Sequence, residues 1–265
     1  KFIENQNINS KNAKNAKNEI NPLIIDLNNY ERKEPLGHGT YGQVYVIEDK
    51  ISHKKFAAKI QLKNQKQQNN HDDFIQEIDF YTRFKFPFIL NLIGYSLRNF
   101  EGNRKTTMIL DYMPNGSLDQ VLKNKKIKIT KSQKYLILYG IVIGMKYLHD
   151  QDIVHRDLKP ANILLDENFY PRISDFGLAI IYSDRNKIVK KQEKEKAGSC
   201  MYMAPEIFLD KDPYSFKVDV YAFSMIAYEL LTNKEPYFDK KYKSENQFKK
   251  YVIDGVRPDL SFIPD

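Results

Sequence analysis

Tryptophan is absent from the 265 residues, and cysteine occurs once, at Cys200, with no second cysteine in the chain to pair with. A disulfide-stapled scaffold is thereby excluded, and a lone thiol suits a reducing compartment, so an intracellular, cytoplasmic protein is expected. Glycine and proline number 11 each, too few for a collagen-like or low-complexity chain. Long apolar runs are lacking too. The longest, Tyr135 to Met145, is broken by Gly140 and Gly144 and falls far short of the roughly 20 residues of a bilayer-spanning helix, so no membrane span is expected. The N-terminal stretch has no apolar core, so neither a secretory signal nor a lipidation site is readable in it.

What the chain has is 42% hydrophobic residues, enough for a real core, and 42 Lys+Arg against 34 Asp+Glu, a formal net charge of +8. Its length lies near the roughly 250 residues at which single cores stop growing, so a two-lobed unit with a cleft is the first expectation. The surplus lysines gather at Lys123 to Lys134, six with no acid among them, and again at Lys187 to Lys196. Such runs read more readily as solvated faces than as docking sites. The aromatic residues are not interleaved with them as in single-strand binding, and no nucleic-acid motif is present, so no nucleic-acid partner is expected. His149, His155 and nearby aspartates lack the thiolates of a structural zinc site.

Residues Lys1 to Asn21 are rich in Asn and Lys and almost without large apolar residues, which makes residues 1–29 a tail or linker. From Tyr30, alternating runs at Gln43 to Ile47 and Lys54 to Ile60 read as antiparallel strands. Asp72 or Asp73 offers an N-cap to a helix whose Phe74, Ile78 and Tyr81 recur at helical spacing, with Glu77 close to that stripe and Pro87 as the stop. Ile89 to Ile93 and Thr107 to Leu110 read as two further strands, and Pro114-Asn115-Gly116 breaks the chain. A β-rich lobe over residues 30–113 is thus followed by a mainly helical lobe over 114–265, in which Tyr135 to His149 and Val218 to Leu231 are buried helices.

Gly37-His38-Gly39-Thr40-Tyr41-Gly42-Gln43-Val44 lies between two strand-like runs, which argues against a dinucleotide-binding turn. Its glycines let backbone N–H groups approach phosphate oxygens, although a hairpin without a ligand reads equally well. In Ala57-Ala58-Lys59, the period of two puts Ala57 and Lys59 on one face. Glu77 is the candidate anion for Lys59, since a buried ammonium without one is strongly disfavoured. His155-Arg156-Asp157-Leu158-Lys159-Pro160-Ala161-Asn162 follows a helix, Asp175-Phe176-Gly177 comes soon after, and Met203-Ala204-Pro205-Glu206 closes the series.

In this order, the motifs resemble the eukaryotic protein kinase catalytic domain, over about Tyr30 to Asp265. The resemblance implies an α+β, two-lobed kinase fold that transfers the ATP γ-phosphate to protein substrates, with Mg²⁺. Asp157 would be the base, Lys59 would hold the α- and β-phosphates with Glu77 behind it, and Lys159 would touch the transferring phosphate. Asn162 and Asp175 would bind Mg²⁺. Gly37, Gly39 and Gly42 would cover the phosphates, and Leu36, Val44, Ala57 and Leu164 would sandwich the adenine. Leu110 stands at the gatekeeper position, followed by the base-binding backbone of Asp111 to Met113.

Lys159 and Gly198-Ser199 resemble the Ser/Thr pattern, while Asp111 to Leu118 and Asp219 to Thr232 resemble the tyrosine-kinase-like group. A Ser/Thr kinase of that group is expected, with dual specificity or a catalytically silent nucleotide-binding scaffold as alternatives. Hydroxyls between Phe176 and Glu206 are confined to Tyr182, Ser183, Ser199 and Tyr202, which makes Ser183 and Ser199 the candidate phosphosites for autophosphorylation or an upstream kinase. Arg156 is of the type that pairs with such a phosphate. Two departures stand out. Tyr221 and Ser224 replace Trp and Gly, and the sequence closes soon after Gly255-Val256-Arg257-Pro258, so the expectation is that Glu206 lacks the arginine partner supplied by later helices.

Overall fold

The computed structural model describes residues 23–39, 42–61, 69–182, 200–209 and 215–264. Its small lobe is a five-stranded antiparallel sheet of β1 (Tyr30–Gly39), β2 (Gly42–Asp49), β3 (Lys55–Gln61), β4 (Leu92–Ser96) and β5 (Thr107–Asp111), in the spatial order β1-β2-β3-β5-β4. One helix, α1 (Asn69–Arg83), joins β3 to β4.

The third strand is buried without a break from Phe56 to Ile60, because both of its faces are covered. Phe56 and Ala58 pack outward with Leu27, Ile47 and Ile109, whereas Ala57 faces the main core. Leu27 belongs to the stretch read as tail. Tyr95 N–H donates to Leu23 O at 2.7 Å and Ile25 N–H to Tyr95 O at 2.9 Å, so residues 23–29 form part of the small lobe.

Three boundaries shift. α1 begins at Asn69, so Asp72 and Asp73 lie inside the helix instead of capping it. It ends at Arg83, four residues before Pro87. The fourth strand is Leu92–Ser96 and not Ile89 to Ile93, because Ile89 bridges to Ile173 of the other lobe. Gly94 explains the placement, since a Cβ there would lie 2.6 Å from Leu23 O and 2.4 Å from the Ile25 side chain.

The large lobe is built on α2 (Leu118–Lys123), α3 (Lys131–Asp150), α4 (Pro205–Phe208), α5 (Lys217–Thr232) and α6 (Glu245–Ile253). Short antiparallel pairs join β6 (Ile153–Val154) to β9 (Ile180–Ile181) and β7 (Ile163–Leu165) to β8 (Pro171–Ile173). Capping boxes start two helices: Ser117 with Gln120 on α2, and Thr130 with Gln133 on α3. The third helix buries Ile137, Ile141 and Leu148, and Gly140 and Gly144 let Pro171 and Ile173 approach its backbone. One continuous apolar core runs from Phe74 and Tyr81 on α1, through Leu110 and Ile173, to Ile226 on α5. It passes beneath the cleft and fixes the floor of the site.

Candidate active site

The small lobe contributes Lys59. Pairing of Val44 with Lys59 and of Ala57 with Leu110 sets its register, and Lys59 is only 8% exposed. Its ammonium donates to both carboxylate oxygens of Glu77, each at 2.7 Å, and lies 3.7 Å from Asp175 Oδ1. Burial pulls the Lys59 pKa down, but the Glu77 and Asp175 charges outweigh it and leave the ammonium above its ordinary range. Burial also pushes the Glu77 carboxyl up, against the pull of Lys59.

The large lobe contributes the loop between β6 and β7. Asp157, 9% exposed, accepts from Lys159 Nζ at 2.9 Å and from Asn162 Nδ2 at 2.8 Å, and Asn162 also donates to the Asp157 carbonyl. Burial raises the Asp157 pKa and Lys159 opposes the rise, which makes this carboxylate a better proton acceptor than a solvated one. Arg156, expected to await a phosphate, donates from Nε to Leu178 O at 2.7 Å. It takes φ +67° and Asp175 takes φ +65°, a left-handed conformation that side chains other than glycine adopt at a cost and that gathers at functional sites.

Two residues that the sequence left without a role shape this loop. Asp219 on α5, 1% exposed, accepts from the backbone N–H groups of His155 and Arg156, each at 2.9 Å, and from His149 Nε2. His155 Nδ1 accepts from Asp157 N–H and its Nε2 lies 3.0 Å from Ser174 O, an arrangement met by the neutral Nε2–H tautomer. Phe176 stacks on Phe80 at 3.9 Å and meets Tyr81 and His155 edge-on or tilted. Asp175 N–H donates to the Tyr81 hydroxyl at 3.2 Å. The segment bearing Asp175 is thus clamped between α1 and the Asp157 loop. The Asp219-Val220-Tyr221 stretch carried the only signal for Asp219, as part of a resemblance.

Val44, Ala57, Leu110, Met113 and Leu164 join one apolar cluster at the cleft, whereas Leu36 is exposed and outside it. Asp111 N–H donates to Asn91 O, and Met113 O accepts from Gly116 N–H, so the Met113 N–H is left without an internal partner among the described residues. Gly37, Gly39 and Gly42 flank the turn between β1 and β2. Gly42 has a packing reason of its own: a Cβ there would lie 2.6 Å from Ile60 O. Thr40, Tyr41, Ser183, Gly198 and Ser199 lie outside the described residues. Glu206 forms no ion pair among the described residues, and Arg257 instead packs over the Tyr221 ring at 5.4 Å.

The protein kinase domain model matches residues 30–258. This chain belongs to the protein kinase family. Among curated relatives it is 34% identical over 250 residues to the dual specificity protein kinase shkB of Dictyostelium discoideum, covering 91% of this chain and 36% of that one. It is 35% identical over 230 residues to an Arabidopsis thaliana LEAF RUST 10 disease-resistance locus receptor-like protein kinase, covering 85% of this chain and 34% of the relative. To a putative serine/threonine-protein kinase/receptor of Acanthamoeba polyphaga mimivirus it is 33% identical, across 89% of this kinase and 14% of that one. The kinase chain spans about a third or less of these relatives. No helix among its described residues is long and apolar enough to cross a membrane.

Proposed function

We propose that this kinase domain phosphorylates serine and threonine of protein substrates from Mg²⁺-ATP, and that it belongs to the tyrosine-kinase-like group. The observation that carries the reading is the assembled cleft: Lys59 paired with Glu77, and Asp157 held beside Lys159 and Asn162. Complete in all its charged parts, it speaks against a catalytically silent scaffold.

The residues suit Mg²⁺. Asp175 Oδ1 is buried and accepts no hydrogen bond from the described residues, and Asn162 spends its amide N–H₂ on Asp157, which leaves its oxygen as a ligand. Two hard oxygen donors fit an ion that completes its shell with phosphates and water. Bound there, the ion would neutralise charge on the phosphates. Lys59 would anchor the α- and β-phosphates, and the glycine turn would cover them with backbone N–H groups. Asp157, raised by burial, accepts the proton of the substrate hydroxyl, and Lys159 beside it faces the charge of the transferred group. Met113 N–H and the Ala57, Val44 and Leu164 side chains would receive the adenine.

The test compares wild type with Asp157→Asn, using Mg²⁺-ATP, a generic basic protein substrate and phosphosite mapping. The variant is expected to lose about 1000-fold or more in transfer, as for loss of a positioned base with its charge, while ATP still raises its melting temperature. Phosphate on serine and threonine in the wild type supports the reading, and added phosphotyrosine makes it dual-specific. ATP binding without transfer by the wild type would overturn it in favour of a scaffold.

A further inference from the structure

The basic run Lys125–Lys128 ends three residues before Lys131, the first residue of α3, and both it and one face of that helix are exposed. Ile127 and Ile129 turn inward against the main core, so Lys126 and Lys128 alternate with them toward solvent, next to Lys125. Lys125, Lys126 and Lys128 form no ion pair among the described residues, whereas Lys123 is bound to Asp119 at 2.8 Å. The lysines are held out by a packed loop and are not a floppy tail.

On α3, Tyr135, Tyr139 and Val142 are 55%, 63% and 43% exposed. Their spacing puts them within about 60° of one another on a helix of 3.6 residues per turn, on the side away from Ile137, Ile141 and Leu148. Lys146 continues the same stripe and pairs with Asp150 at its far end. A soluble helix ordinarily places charge on this face; here the face is aromatic and apolar, with lysines at its leading edge. The stripe is convex, since its residues crown a helix, and it offers no groove to grip a peptide.

We propose that this face docks the domain on an anionic bilayer surface. The charge is carried by lysine alone, a compact point charge suited to a diffuse anionic layer and not to the bidentate recognition that arginine performs. Tyrosines with an apolar body and a polar tip settle at the level of lipid headgroups. Neither signal alone anchors a protein; a polybasic patch with a few apolar contacts gives reversible, salt-sensitive attachment. The 20-residue α3 spans about 30 Å, so the basic loop lies roughly that far from the Asp157 loop at its other end, and the cleft stays open to soluble substrates.

The test is co-sedimentation of the chain with vesicles of phosphatidylcholine alone or with about 30% phosphatidylserine, at roughly 0.1 and 0.5 M salt. Binding at least about tenfold tighter to the anionic vesicles, and lost at the higher salt, is expected. The joint substitution Lys125→Gln, Lys126→Gln and Lys128→Gln lowers it about 100-fold, at roughly fivefold per lysine. Tyr135→Ser with Tyr139→Ser lowers it about tenfold and keeps the salt dependence. Both variants retain their melting temperatures, and neither touches the cleft. Equal binding to both vesicles, or a triple lysine variant that binds like wild type, overturns the proposal. So does retention on poly-glutamate or on an RNA oligonucleotide without vesicle binding, which would assign the face to an acidic protein or to nucleic acid. None of these readouts depends on phosphoryl transfer, so failure here leaves the kinase reading untouched.

Discussion

Lys59 and Asp157 face each other across the cleft, and each is about nine-tenths buried, yet they are held by different means. Lys59 depends on side chains delivered by separate elements, Glu77 on α1 at 2.7 Å and, more distantly, Asp175 at 3.7 Å. Asp157 sits in a loop whose backbone is tied down around it, by Asp219 at His155 and Arg156, by Asn162 at its carbonyl and by His155 at its own N–H. An ion pair between two elements separates when one of them moves. A loop pinned through two backbone hydrogen bonds to a buried helix, and braced internally by two more, cannot shift away from that helix without losing both. The small lobe therefore carries the adjustable half of the machinery and the large lobe the fixed half. Substitutions should separate the halves: losses of stability in the large lobe, losses of activity without unfolding in the small one.

Asp219→Ala is the strongest test of the fixed half. It strands two buried N–H groups and the His149 ring nitrogen at once, so a loss of about 3–5 kcal/mol in unfolding free energy is expected, from removing a charged acceptor with several buried donors. Urea unfolding of wild type and variant measures it. A loss under about 1 kcal/mol would show that the loop is held by something other than Asp219.

Little of that pinning is legible in the sequence. Asp219 is 62 residues from Asp157 and on another helix, so no local pattern links them, and only the resemblance flagged its neighbourhood. The motif residues themselves were legible because they cluster in short runs of unusual chemistry. Elements whose boundaries depend on distant chain were not. The fourth strand was read at the apolar run Ile89 to Ile93, but its glycine at Gly94 receives the crossing Leu23–Ile25 segment, and Ile89 is claimed by Ile173 instead. For the same reason residues 23–29 read as tail: Leu23, Ile24, Ile25 and Leu27 make an apolar run too short to show a strand or helix period, and the burial of Leu27 is visible only once Phe56 and Ile109 stand under it. The start of α1 escaped because two adjacent aspartates suit the first turn as well as the cap.

A second buried glutamate sharpens the contrast. Glu229 on α5 has a hydroxyl for a partner where Glu77 has an ammonium: Tyr202 O–H donates to its Oε2 at 2.5 Å. Burial, assisted by Glu235 and Asp119, pushes the Glu229 carboxyl up to about 7, with the Tyr202 hydrogen bond and Lys123 opposing. The folded state thus holds this proton more tightly than the unfolded one. The stabilisation is full below the unfolded value of 4.5 and fades as pH rises through about 7. The span corresponds to about 3 kcal/mol. Glu229→Gln keeps the neutral shape, so it should match wild type near pH 4 and exceed its stability by up to about 3 kcal/mol near pH 8. Melting curves of both proteins across that range decide it, and parallel profiles would remove Glu229 as the titrating group.

Glu77→Gln probes the adjustable half and should have the smallest effect on the fold. Breaking a buried ion pair is ordinarily costly because it leaves a bare charge. Here two circumstances soften the loss. Asp175 Oδ1 lies 3.7 Å from the Lys59 ammonium and remains as its counter-ion. Glu77 is itself pushed up by burial, so the neutral amide relieves a carboxylate that the site holds at some expense. The melting temperature should therefore move far less than in Asp219→Ala. Activity should not be spared: drawn toward Asp175, Lys59 leaves the place from which it would hold phosphates, and a misplacement of about 1 Å costs on the order of 100-fold. A fall of about 10- to 100-fold in transfer, with a raised KM for ATP, is expected from steady-state kinetics on folded protein. If Glu77→Gln instead unfolds as readily as Asp219→Ala, the pair is part of the fixed frame. Full activity in the variant would mean that Asp175 alone can position Lys59, and the adjustable element would then be the segment carrying Asp175 and Phe176, clamped between Phe80, Tyr81 and His155.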